Sequence, residues 1–220
     1  MYDRLVDHFR TYIEANREGS NIPQAVYWIV KGMWDSGRQN EALDFFLTSV
    51  GKYGTQRTAL GIDLLLDEWI GMARQLPPEK AETAWQNLQQ ALTQARRNRQ
   101  PTLTLRLQRC LIHRPGINTI EEQALRDAIM KERSLTHASP MVLEFIMDEA
   151  ADTGNRQLMT AAAREITTQF AETDYAPQAR MVLARAALDA DDHAEAQEQL
   201  ETVVEQFAAH RIAADALLLL

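Results

Sequence analysis

Side chains that could bind a metal ion occur at two places in the sequence. Cys110 and His113 are three residues apart, a spacing that would place both on one side of a helix. Two ligands do not make a zinc site, and no second pair accompanies them. The second place is the polar run Asp191–Glu195, which falls where a turn between two helices is expected. Helix capping accounts for such residues at a turn, so we predict no metal site.

The motifs that usually carry enzyme chemistry are missing from the sequence. It contains no glycine-rich phosphate loop, no HExxH or GxSxG motif and no paired-carboxylate arrangement. His8, His137 and His210 are isolated from other candidate catalytic groups. We therefore predict that the protein is not an enzyme and that it uses no cofactor and no small-molecule substrate.

Charge is distributed unevenly along the chain. No acidic residue occurs from Thr83 to Ile120, whereas residues 139–220 contain 15 acidic residues and five arginines. The formal charge of the whole chain is −8, which disfavours nucleic acid and anionic membrane surfaces as partners. The acid-free stretch could still bind an anionic partner, either an acidic protein or a nucleic acid. That alternative site would consist of Arg96, Arg97, Arg99, Arg106, Arg109 and Arg114.

The composition favours helices joined by short turns, because glycine and proline are few and 45% of the residues are hydrophobic. The single cysteine excludes an internal disulfide. The run Leu217–Leu220 is too short to span a membrane, which takes about 20 apolar residues. The charged first helix does not resemble a secretion signal. We expect a cytoplasmic protein if the chain is complete, and a periplasmic or cell-envelope protein if it is a fragment of an exported one.

A repeat of about 37 residues runs along the chain. Pro23, Pro140 and Pro177 each open an apolar helical stretch, and a turn follows twelve residues after each proline. Thirty residues after the same prolines stand Tyr53, Phe170 and Phe207. Each unit is predicted to be a helical hairpin, in which Gly37 or Gly154 ends the first helix and Asn155 or Asp192 caps the second. A hairpin this small must stack on its neighbours to bury its apolar faces.

We therefore predict a single all-α domain over residues 1–220. The expected units are a partial one at 1–21, full ones at 22–56, 57–99, 100–138, 139–175 and 176–212, and the start of another at 213–220. The second helix of the unit 57–99 should bury Ala84, Leu88, Leu92 and Ala95. The apolar residues 216–220 indicate either a truncated unit or a docking surface, and homo-oligomers could form through such ends.

The stretches 25–54 and 179–208 resemble the tetratricopeptide repeat. The likeness lies in small residues at close helix contacts and in an aromatic residue near the end of each unit. The variant resembles that of bacterial envelope proteins, such as the periplasmic partner of TolA and the lipoprotein of the outer-membrane assembly machinery. The resemblance implies a right-handed α-solenoid of antiparallel helix hairpins that acts as an adaptor.

In this family the first helix of each hairpin lines a concave groove that binds protein or peptide partners. Carried over to this sequence, that surface predicts a set of partner-binding positions. Among the four tryptophans, Trp34 is expected on this surface, and Trp28, Trp69 and Trp85 are expected to pack in the interior. The predicted positions are Gln24, Tyr27, Lys31, Trp34, Asp35, Glu144, Asp148, Gln178, Met181, Arg185 and Leu188.

The main hypothesis is thus a scaffold that binds a protein or peptide, and the alternative is electrostatic binding through residues 96–114. Groove binding should depend on aromatic residues such as Trp34, whereas arginine-mediated binding should weaken with salt.

Overall fold

The computed structural model describes residues 2–16, 19, 21–132 and 134–220, and within these ranges the chain contains helices and no strand. The sequence predicts helices over residues 1–18 and 119–133, and positions 1, 17, 18 and 133 of these stretches lie outside the described residues. The helices are α1 Tyr2–Ala15, α2 Ile22–Asp35, α3 Gln39–Tyr53, α4 Leu60–Ala73, α5 Pro78–Arg97, α6 Pro101–Ile112, α7 Thr119–Met130, α8 Pro140–Asp152, α9 Arg156–Gln169, α10 Ala176–Asp189, α11 His193–Gln206 and α12 Ile212–Leu219.

The helices belong to two compact units. The first unit contains α1 to α7 and residues 137–139, and the second contains α8 to α12. A short 3-10 turn, Leu135–His137, follows α7. Consecutive helices pack against each other in the pairs α2–α3, α6–α7, α8–α9 and α10–α11, which is consistent with the all-α hairpin architecture expected from the sequence. The exact repeat boundaries and the single-domain organisation stay predictions.

Local sequence signals set where many helices begin and end. Proline lies in the first turn of α2, α5, α6 and α10, where a missing N–H leaves no partner unsatisfied. Gly37 and Gly154 follow α2 and α8 with left-handed φ angles of 83° and 69°. Asn155 and Asp192 cap α9 and α11, accepting hydrogen bonds from the backbone N–H of Leu158 at 3.1 Å and of Glu195 at 3.1 Å. The predicted stops and caps are therefore confirmed.

The first helices of successive hairpins in the first unit, α2, α4 and α6, lie side by side and parallel. The Tyr27 hydroxyl on α2 donates to Glu68 on α4 at 2.6 Å, and the Trp34 indole donates to Gln75 at 3.1 Å. Gly61 permits this approach, because a Cβ atom there would collide with the backbone of Pro23.

Aromatic rings fill the interior of the first unit. Phe46 stacks on Trp69 with ring centroids 5.0 Å apart, and Trp69 meets Trp85 edge-on at 5.7 Å. The predicted apolar stripe of α5 is buried in full, as Ala84, Leu88, Leu92 and Ala95 all lie in the core.

A buried ion pair connects α4 and α6. The guanidinium of Arg106 binds both carboxylate oxygens of Asp63, through Nε at 2.7 Å and Nη2 at 3.1 Å, and neither side chain is exposed to solvent. Ser139 donates its hydroxyl to the same carboxylate at 2.8 Å. The remaining donors of Arg106 bind carbonyl oxygens of the loop between α3 and α4. These oxygens belong to Gly54, Gln56, Arg57 and Ala59.

Small and aliphatic side chains make up much of the core of the second unit, and Phe170 is also buried there. Ala162, Ala163 and Ile166 are buried on α9. Residues of α10, α11 and α12 form a further cluster, which contains Met181, Ala184, Leu200, Val203, Ile212, Ala213 and Ala216.

The first prediction concerns the close approach of α2 and α4. Gly61→Ala should destabilise the first unit by at least about 2 kcal/mol, because two backbones must move apart to admit the methyl group. Gly71→Ala on the same helix meets open space and should stabilise by about 0.5–1 kcal/mol, because it lowers the entropy of the unfolded chain. Urea unfolding followed by tryptophan fluorescence measures both, since all four tryptophans lie before residue 86. Equal effects of the two substitutions would contradict the packing described.

The second prediction concerns the buried ion pair. Arg106→Ala should destabilise the first unit by about 3–5 kcal/mol, because it leaves the Asp63 carboxylate buried without its counter-charge. Arg97→Ala removes an exposed arginine and should change stability by less than about 0.5 kcal/mol. The same fluorescence-detected urea unfolding compares the two variants. A loss below about 1 kcal/mol for Arg106→Ala would show that the pair does not hold the unit together.

Candidate functional site

The predicted partner-binding residues of α2 lie on two different faces of the helix. Tyr27 and Trp34 are 8% and 7% exposed and pack against α4, so neither ring is presented to a partner. Burial and the hydrogen bond to Glu68 raise the pKa of Tyr27 well above its usual value. Lys31 lies 3.8 Å from Asp35 and 3.6 Å from Glu68. Gln24 is half-buried.

The exposed tryptophan of the first unit is Trp28, which corrects the expectation that Trp34 is the surface residue. Trp28 is 39% exposed, whereas Trp69 and Trp85 are buried as expected. The helical spacing contains this information, because Trp28 falls on the polar face with Gln24, Lys31 and Asp35. Trp34 falls instead on the buried face with Tyr27.

The arginine-rich stretch does not form a continuous exposed surface. Arg106 is buried, so its charge cannot face an anionic partner. Arg109 binds Asp67 at 2.7 Å, and Arg114 binds Glu121 at 2.8 Å. Arg96, Arg97 and Arg99 remain exposed at the end of α5, where positive charge favours the helix C-terminus.

Cys110 and His113 do not form a ligand pair. Cys110 is fully buried, its thiol faces the carbonyl oxygen of Leu66 at 3.6 Å, and burial raises its pKa to about 12. His113 lies beyond the end of α6 and is exposed. Partial desolvation lowers its pKa, and the positive charge of nearby Arg109 lowers it further. Among the described residues, no group of three or more His, Cys, Asp or Glu side chains could hold a metal ion.

A groove of about 580 Å³ lies in the second unit between α8 and α10, with α9 forming part of its lining. It brings together three of the predicted residues, Asp148, Gln178 and Arg185. The groove is lined by Met147, Asp148 and Ala151 of α8, by Arg156, Gln157, Met159 and Thr160 of α9, and by Gln178, Val182, Arg185, Ala186 and Asp189 of α10.

The charges of this groove differ in whether they are paired. Arg156 and Asp189 form an ion pair at 2.9 Å, with both side chains more than half exposed. Asp148 and Arg185 make no hydrogen bond or ion pair with any part of the chain that the structure describes. Desolvation raises the pKa of Asp148, and the neighbouring Asp152 raises it further.

The other predicted residues of the second unit lie outside this groove. Glu144 is half-buried on α8. Met181 is 3% exposed and belongs to the core beside Leu200 and Ile212, which corrects its placement on a partner-binding surface. Leu188 lines a separate depression of about 400 Å³ with residues of α11, with Leu219 of α12 and with Leu220, which follows α12.

Comparison with known proteins assigns a fold type to the second unit. Residues 129–220 match the family model of the tetratricopeptide repeat-like domain. No curated protein and no solved structure matches the chain. The match supports a tetratricopeptide-type protein, a class that generally serves as a protein-interaction scaffold, and the bacterial envelope subtype stays a prediction. No helix in the described residues has the length and apolar character needed to cross a membrane.

The third prediction concerns the pKa of Asp148. Asp152→Asn should lower this pKa only part of the way to its usual value, because desolvation, the larger cause, remains. Since folding raises this pKa, the ionised Asp148 lowers the stability of the folded protein at higher pH, and this loss is relieved as the pH falls through the folded pKa towards the unfolded value. NMR titration of the Asp148 carboxyl carbon measures the shift. Asp215→Asn, an exposed acid on α12, should leave the titration unchanged, and an unchanged titration in Asp152→Asn would contradict the assigned cause.

Proposed function

We propose that the chain is a non-enzymatic scaffold that binds a protein or peptide partner in the groove between α8 and α10. The observation that carries this proposal is the convergence of Asp148, Gln178 and Arg185 on one groove. These three residues come from the first helices of two successive hairpins, which the tetratricopeptide resemblance selects as partner-binding positions.

The chemistry of the groove suits a polypeptide. Its apolar surface comes from Met147, Met159 and Val182 together with two alanines, and apolar side chains of a partner would lose water contact there. Gln178 and Thr160 supply hydrogen-bonding groups, which can bind the backbone of an extended or helical segment. Unbranched methionine side chains adapt to apolar groups of different shape.

The arginine-rich alternative has less support than the groove. Three of its six arginines have acidic partners inside the first unit, so a large part of the charge is already compensated. We therefore place the binding surface in the second unit.

The fourth prediction tests the groove by filling it. Ala186→Trp places an indole among the lining residues and should weaken the binding of a groove ligand by roughly tenfold or more. The probes are fluorescein-labelled peptides selected from a displayed library of random dodecapeptides, and anisotropy titrations give the dissociation constants.

The matched control is Ala194→Trp, at an exposed alanine of α11 outside the groove. It adds the same side chain and should leave the dissociation constants unchanged. Circular dichroism and thermal melting establish that both variants are folded. Unchanged binding by a folded Ala186→Trp protein would show that the groove is not the binding site.

A further inference from the structure

Two opposite charges without partners line the groove from different helices. Asp148 projects from α8 and Arg185 from α10, and they form no ion pair with each other or with any other described residue. The second pair of charges, Arg156 and Asp189, is already joined at 2.9 Å. A ligand that enters the groove therefore meets one negative and one positive group that are available for binding.

The α8 wall favours a cationic group. The carboxylate of Asp148 is partly desolvated and lies near the carboxylate of Asp152, and both effects raise its pKa. A positive side chain beside Asp148 would offset the repulsion between these two acids. A lysine or arginine of the partner meets this requirement.

The α10 wall favours an anionic group. The guanidinium of Arg185 carries five N–H donors in a planar arrangement, which matches the two oxygens of a carboxylate. Its side chain is exposed, so it can reorient towards a ligand without breaking an existing ion pair. An aspartate or glutamate of the partner meets this requirement.

Apolar side chains line the groove together with the two charges. Met147 and Met159 line the groove on one side and Val182 on the other, so an apolar side chain between the two charged ones would be covered. We infer that the groove selects a peptide segment in which an apolar side chain lies between a basic residue, bound to Asp148, and an acidic residue, bound to Arg185. This inference rests on the proposed function of the groove.

Uniformly charged partners fit this arrangement less well. An all-basic segment would place a like charge against Arg185. A polyanion such as nucleic acid would place like charges against Asp148 and would also meet the 15 acidic residues of positions 139–220. The structure thus favours a peptide of mixed charge.

The fifth prediction uses selection on the full chain as the readout. Random dodecapeptides displayed on phage are selected for binding to the unmodified protein, to Arg185→Glu and to Asp148→Asn. The unmodified protein should enrich sequences with a basic, an apolar and an acidic residue in that arrangement. Arg185→Glu should replace the acidic preference by a basic one, and Asp148→Asn should lose the basic preference.

Synthetic peptides from the selection give the size of the effect. Arg185→Glu should weaken a selected peptide about fivefold or more, and changing the acidic residue of that peptide to lysine should restore the affinity. Arg164→Glu and Asp215→Asn make the same charge changes at exposed positions outside the groove. Both controls should select the same sequences as the unmodified protein.

The possible outcomes separate the two levels of the proposal. Peptides that are lost in Ala186→Trp but whose sequences do not respond to Arg185→Glu or Asp148→Asn would overturn the charge pattern and leave the groove as the binding site. Enrichment that persists in Ala186→Trp, or no enrichment at all, would overturn both the charge pattern and the proposed function.

Discussion

The guanidinium of Arg106 has no contact with solvent. Its hydrogen bonds connect three parts of the first unit, which are α6, α4 and the loop between α3 and α4. It binds the carboxylate of Asp63 on α4 and the carbonyl oxygens of the loop that leads from α3 into α4. The hydroxyl of Ser139 donates a further hydrogen bond to the carboxylate of Asp63. A buried carboxylate without these donors would be strongly unfavourable, so the positions of α4, α6 and the loop are fixed together.

Side-by-side packing of parallel helices places similar demands on the rest of the first unit. The helices α2 and α4 come close enough that Gly61 must lack a side chain, and their polar groups at this boundary bind each other. The side chains of Tyr27 and Trp34 are buried and hydrogen-bonded in this contact, so they cannot bind a partner. A residue on the first helix of a hairpin is therefore available to a partner only if it points away from the first helix of the neighbouring hairpin.

The two units differ in where their unpaired charges lie, and in the first unit Arg96, Arg97 and Arg99 are exposed at the end of α5. In the first unit, Arg106, Arg109 and Arg114 have acidic partners within the unit. In the second unit, Asp148 and Arg185 face a groove and have none within the described residues. Because unpaired charges beside apolar surface favour association with complementary groups, the second unit is the better candidate for binding. The tetratricopeptide repeat-like match covers this same unit.

Features that depend on neighbours in the sequence were predictable. The left-handed turn at Gly154, the cap at Asp192 and the buried stripe of α5 all follow from local backbone and periodicity rules, and the structure confirms them. The position of Arg106 was not predictable from charge counting, because its partner Asp63 lies 43 residues away. The apolar residues around Arg106 indicate a buried face, but they do not name the partner. The sequence by itself therefore determined where the helices lie and how several of them begin and end, while packing between distant helices decided which side chains are buried and which line the groove.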